Sequence, residues 1–162
     1  MKKPDETLKC VVVYGNNDGL IDETVKKFAQ CIAPDLNDAF QVSQLLWENI
    51  SADTGVLAGE YGAQSLMGGR RVVIVREVDN NITKPLKEIL DAVKSDSLLI
   101  LSSTGLNKKS SLVALAAERS DFALVSCYED KNEDIQKVAR KIFIDNGFTI
   151  STETLELLCS RL

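Results

Sequence analysis

The chain has 162 residues, 44% of them hydrophobic, with 19 Lys and Arg against 24 Asp and Glu, a formal net charge of −5 and no histidine. That length holds one full domain with a sizeable core and the beginning of a second. The acidic balance argues against a general attraction to nucleic acid, and the missing imidazole removes the commonest general base near neutral pH. Cys10, Cys31, Cys127 and Cys159 are widely spaced and form no Cys-x-x-Cys pair, a pattern of reduced thiols in a cytoplasmic protein rather than of zinc ligands. No apolar stretch follows Met1-Lys2-Lys3-Pro4 as in a signal peptide, and no apolar run approaches the ~18 residues of a membrane span. The expectation is a soluble cytoplasmic protein with no cofactor and no metal.

In chain order, the first predicted strand is Lys9 to Tyr14. It runs into Tyr14-Gly15-Asn16-Asn17-Asp18-Gly19-Leu20-Ile21-Asp22, the place where a phosphate loop stands in a nucleotide hydrolase. A phosphate loop needs Gly-x-x-x-x-Gly-Lys-Ser/Thr, because backbone amides cradle the phosphates, the lysine reaches the terminal ones and the hydroxyl holds magnesium. Here Leu20 and Ile21 follow Gly19, and Asp22 places a like charge in the first helical turn. The loop reads as a structural turn, with anion binding by its amides as the alternative.

A helix from Leu20 to Ile32 follows, with Asp18 as the expected cap and Pro34 stopping it after Ala33. Strands are predicted at Phe40 to Leu46, Arg71 to Arg76, Ser97 to Leu101 and Phe122 to Cys127. The intervening helices are Asp53 to Leu66, Thr83 to Lys94, with Pro85 in its first turn, and Lys108 to Arg119. Strands apolar on both faces, alternating with helices, predict an α/β fold: a three-layer domain on a five-stranded parallel sheet. Beyond Tyr128 the pattern changes. Lys131 to Asn146 is helical in period, Gly147 fits a helix C-cap, and Ser151-Thr152-Glu153-Thr154 frames the start of another helix. The expected domains are 1–129 and 130–162, the second being the beginning of a small helical domain.

Several residue groups carry potential chemistry. Glu77 and Asp79 end the third strand where a metal-holding carboxylate would stand, but no upstream lysine grips a polyphosphate for them to serve. Ser102-Ser103-Thr104 end the fourth strand and read as a strand terminus. Lys26-Lys27, Lys108-Lys109 and Arg70-Arg71 are isolated basic pairs, too dispersed for the basic face of a DNA-binding module. In Tyr61-Gly62-Ala63-Gln64-Ser65-Leu66-Met67-Gly68-Gly69-Arg70-Arg71, two glycines release the chain from the helix just after Leu66 and Met67. These side chains then either project outward for a partner's pocket, or Leu66 continues the stripe of Val56, Gly59 and Ala63 and packs inward. Spacing leaves both open.

Together these features resemble the delta subunit family of the bacterial DNA polymerase III clamp loader. The matching residues are Val13-Tyr14-Gly15-Asn16-Asn17-Asp18-Gly19-Leu20-Ile21, the block from Ser65 to Val75, Leu98-Leu99-Ile100-Leu101 and Leu106-Asn107-Lys108-Lys109-Ser110-Ser111-Leu112. The resemblance implies a RecA-like domain of the AAA+ superfamily that has lost its ATP site. It implies a subunit that is no enzyme by itself, and that grips the ring-shaped beta sliding clamp and opens it for loading onto DNA during replication. In the family an apolar pair at the end of this helix enters the clamp's hydrophobic peptide pocket. Carried onto this chain the pair is Leu66 and Met67, with Ser65, Arg70 and Arg71 flanking. The family usually has Leu-Phe, so Met67 is a departure: a thioether fills an aromatic subpocket without ring stacking or rigidity.

Other implied partners are the remaining clamp-loader subunits, engaged by the full-length protein, and DNA only through the assembled complex; no membrane is implied. Family members carry further helical domains, so a chain ending at Leu162 is expected to be a fragment or a short relative. The alternative function from another class is a small Rossmann-like enzyme or sensor binding a nucleotide or anion at the Gly15 to Gly19 turn.

Overall fold

The two-sided apolar strands assemble as their composition demands, into a sheet covered on both faces. The computed structural model describes residues 7–66, 68–128 and 151. Its elements are β1 (Cys10–Gly15), α1 (Asp18–Gln30), β2 (Val42–Leu46), the single turn α2 (Trp47–Ile50), α3 (Gly55–Gly62), β3 (Val72–Arg76), a 3-10 turn (Asn80–Ile82), α4 (Thr83–Ala92), β4 (Leu98–Ser103), α5 (Ser111–Glu118) and β5 (Phe122–Cys127). The five strands run parallel in the order β2-β3-β4-β1-β5. All these elements lie in one compact unit, Met1–Tyr128.

Alternation along the strands divides the core into two clusters. Val12, Val73, Val75, Leu99 and Leu101 meet Leu57 and Tyr61 of α3, Leu86 of α4 and Leu112 of α5 on one face. Val11, Val13, Ile74 and Ile100 meet Ile21, Val25 and Ala29 of α1 on the other. The central strands are buried except at Arg76, the last residue of β3, whereas β2 and β5, at the edges, alternate buried and partly exposed residues. This is the expected three-layer α/β architecture.

Local chemistry moves several boundaries. The cap of α1 is Asn17, whose side chain accepts the Leu20 N–H at 3.0 Å, so Asp18 lies inside the first turn, where its charge suits the helix dipole. Strand β2 starts at Val42 rather than Phe40, because Gln41 and Val42 both donate their N–H groups to Asp38 O and close a turn. Helix α5 starts at Ser111, because Asn107 Oδ1 accepts the Lys109 N–H and Ser110 Oγ accepts the Asn107 N–H in a preceding turn. Helix α3 ends at Gly62, with Ala63 already extended, four residues before the expected end at Leu66. The expectations for Lys131 to Asn146, Gly147 and the helix beginning near Thr152 lie outside the described residues.

Candidate functional site

Both ends of a parallel sheet gather loops, and in this chain the two ends are built differently. At the carboxyl ends of the strands, Gly15 follows β1. A Cβ there would come within 1.8 Å of Cys127 O, so only glycine lets β1 lie this close to β5. Directly after it, the Asn16 and Asn17 N–H groups donate to the same Cys127 carbonyl at 3.0 and 3.2 Å. Amides that cradle an anion must point into open space; these point into the neighbouring strand. Asp22, on α1, forms an ion pair with Arg76 at the end of β3.

Other polar groups at this end are also bound into turns. Asp79 Oδ1 accepts both the Trp47 indole N–H at 3.0 Å and the Asn81 N–H at 2.8 Å, and so caps the 3-10 turn. Glu77 takes a left-handed conformation, φ 56°, which swings the chain so that the Val78 N–H donates to Ser102 O at 3.2 Å. Ser103 Oγ accepts the Gly105 N–H, and Ser102 and Ser103 are buried.

At the amino ends of the strands lies the segment from Ala63 to Arg71. The Ser65 carbonyl accepts the Gly68 N–H at 3.2 Å, closing a turn, and Gly68 and Gly69 both sit at positive φ, 76° and 87°. Among the described residues, apart from chain neighbours, no atom stands within 4 Å of a Cβ built at either, so glycine is required by backbone conformation and not by crowding. Leu66 is thrown outward and is 84% exposed; it does not continue an inward stripe. The inward side of α3 is Leu57 and Tyr61, while Val56 is exposed. Met67 lies outside the described residues.

The two arginines behind the turn hold it in place from within the domain. Arg71 is buried, at 7% exposure. Its guanidinium donates to Phe40 O at 3.1 Å, to Glu60 O at 3.1 Å, to Ala63 O at 3.4 Å and to Glu60 Oε2 at 3.3 Å. A cation on the last carbonyls of α3 satisfies groups the helix leaves open and complements its dipole. Arg70 Nε donates to Asp96 O at 2.7 Å, and its terminal nitrogen donates to Leu8 O. Ser65 Oγ is shielded without a hydrogen-bond partner among the described residues. It lines, with Ala63, Gly69, Arg71, Ser95 and Asp96, a cleft of about 430 Å³ behind the turn. Of the five residues singled out from sequence, Leu66 therefore reaches solvent, Arg70 and Arg71 grip their own domain, and Ser65 sits at the base of the turn.

The model of one protein family, DNA polymerase III, delta subunit, matches residues 12–138. The chain belongs to that family. Among solved structures, it is similar to the Bacillus subtilis DNA clamp loader delta protein YqeN, at 19% identity and a TM-score of 0.62, over 92% of this chain and 47% of that one. It is also similar to a DNA polymerase III gamma subunit-related protein of Thermotoga maritima, at 7% identity and a TM-score of 0.54, over 85% of this chain and 46% of the other. The replication initiator DnaA, in a structure bound to AMPPCP and single-stranded DNA, matches at 12% identity and a TM-score of 0.51, over 95% of this chain and 51% of the initiator. None of the curated proteins matches the chain. The fold is thus shared with these clamp-loader and replication-initiator structures, and the chain spans about half the length of these solved relatives.

Proposed function

We propose that this chain acts as a clamp-loader delta subunit in bacterial DNA replication, and that Leu66 with Met67 docks into the hydrophobic pocket of the beta sliding clamp. The observation that carries the reading is Leu66: a large aliphatic side chain 84% exposed on a turn held by the Ser65–Gly68 hydrogen bond and by the Arg71 clasp. Singly exposed apolar residues are common on surfaces. One presented on a braced turn has less conformational freedom to lose on docking, which leaves more of its burial energy for affinity. Full burial of two such side chains contributes roughly 1.5–3 kcal/mol each.

The role is mechanical and involves no chemistry of the chain's own. Energy from burying the tip stabilises a clamp whose ring interface is loosened, and the sheet behind it transmits the load. Other loader subunits, and DNA through the assembled complex, are the remaining partners, in the cytoplasm. A nucleotide at the Gly15 to Gly19 turn is disfavoured, because the Asn16 and Asn17 amides are occupied and Asp22 with Arg76 lies beside the turn.

The deciding experiment is surface plasmon resonance of the chain against a purified sliding clamp. The double variant Leu66→Ala, Met67→Ala is expected to bind about 100-fold or more weakly than the wild type. Equal affinity removes the tip from the interface. A parallel titration with ATP is expected to show no binding up to millimolar concentration.

A further inference from the structure

A second exposed apolar side chain stands at the amino ends of the strands. Phe40 is 59% exposed, in the turn Asp38-Ala39-Phe40-Gln41 that leads into β2, and it belongs to neither core cluster. Its backbone is held on both sides. The Phe40 N–H donates to Asp38 Oδ1 at 2.9 Å, its carbonyl accepts Arg71 Nε at 3.1 Å, and the next two N–H groups donate to Asp38 O at 3.0 and 2.8 Å. An aromatic ring on so restrained a backbone has two side-chain torsions left to fix, the economy that makes aromatics effective anchors.

One side chain ties this ring to the tip. The guanidinium that holds Phe40 O also holds Ala63 O, at 3.4 Å, and Ala63 stands three residues before Leu66. Three extended residues reach about 10 Å at most. The backbone at Phe40 and at Leu66 is therefore close enough for both exposed side chains to be met by one partner covering the ~800 Å² of an interface of standard size.

We propose that Phe40 is a second anchor for the sliding clamp, seated on apolar ground beside the pocket that takes Leu66. The inference rests on the function proposed above, and its occupant follows from continuity with that docking surface. Its test uses the full chain and a purified sliding clamp in the same binding assay. Phe40→Ala is expected to weaken binding about tenfold, Phe40→Leu to weaken it less, and both to keep the thermal midpoint of the wild type because the ring is exposed.

Wild-type affinity of Phe40→Ala, alongside weakened Leu66→Ala, Met67→Ala, overturns the second anchor and leaves the proposed function standing. Wild-type affinity of all variants removes both. Sedimentation of the free chain covers the other occupant: a wild-type dimer that dissociates in Phe40→Ala assigns the ring to a second copy of this chain and overturns the proposal.

Discussion

The two ends of the sheet share one architecture and opposite states of completion. At the carboxyl ends the first loop is closed: two amides meet Cys127 O, Asp79 caps a turn, and Asp22 pairs with Arg76. At the amino ends the backbone is equally well bonded, but it presents Leu66 and Phe40 to solvent. Polar groups satisfied internally are removed from use by a ligand, whereas apolar groups held outward are left without the cover they favour. The difference separates an end whose first-loop amides are taken up internally from one that carries the docking surface proposed above.

Substitutions at the closed end are expected to act on the fold, and those at the open end on binding. The largest effect is predicted for Gly15→Ala, whose methyl would overlap the Cys127 carbonyl at 1.8 Å. Urea titration should show a loss of ~3 kcal/mol or more, or no folded protein at all. A stable Gly15→Ala would mean that β1 and β5 can part and that the loop is less firmly closed than described.

Arg71→Met comes next. It removes the donors to Phe40 O, Glu60 O and Ala63 O, and chemical unfolding should register a loss of about 2–3 kcal/mol. Affinity for the clamp should fall as well, because the brace behind the tip goes with it. Gly68→Ala, at φ 76°, is expected to cost about 1 kcal/mol through left-handed strain. An unchanged midpoint would show that the turn has another accessible conformation.

Gly59→Ala has the opposite sign. It lies mid-helix in α3 with nothing within 4 Å of its Cβ, so alanine should stabilise the domain by roughly 0.5–1 kcal/mol through helix propensity. The smallest expected effect is at Asp121. Its hydrogen bonds from Arg119, at 2.8 Å each, hold its carboxyl below the ordinary carboxylate range. A depressed folded pKa gives stability that is present above the unfolded value, ~3.9, and lost as pH falls through the folded one. Asp121→Asn should lower stability slightly at neutral pH, leave it nearly unchanged once pH has fallen through the folded pKa, and so flatten the acid limb of a stability–pH curve below about pH 4.

All five strands and the four longer helices were legible in the sequence, because apolar runs of period two or more and helical stripes are local signals. What escaped it was nonlocal. Gly62 was an available local stop signal for α3, but it competed with the glycine pair Gly68-Gly69 farther on; the Arg71 guanidinium gripping Glu60 O and Ala63 O fixes the end at the earlier one. Phe40 read as strand because it is apolar and precedes Val42, although Asp38 two residues before it was an available turn signal. Arg70 and Arg71 are alike in type, and their inward grip depends on carbonyls up to 62 residues away. At the candidate site, the outward course of Leu66 was one of two readings the spacing allowed, and the glycine pair after it was the cue that proved informative.

The Arg71 clasp has an evolutionary corollary. Because the hydrogen bonds that shape the turn come from a buried cation and from main-chain groups, the residues at its apex can drift in identity while the scaffold keeps its stability. In the proposed role, lineages are then free to retune this tip against a changing receptor one substitution at a time, without first acquiring compensatory changes in the interior.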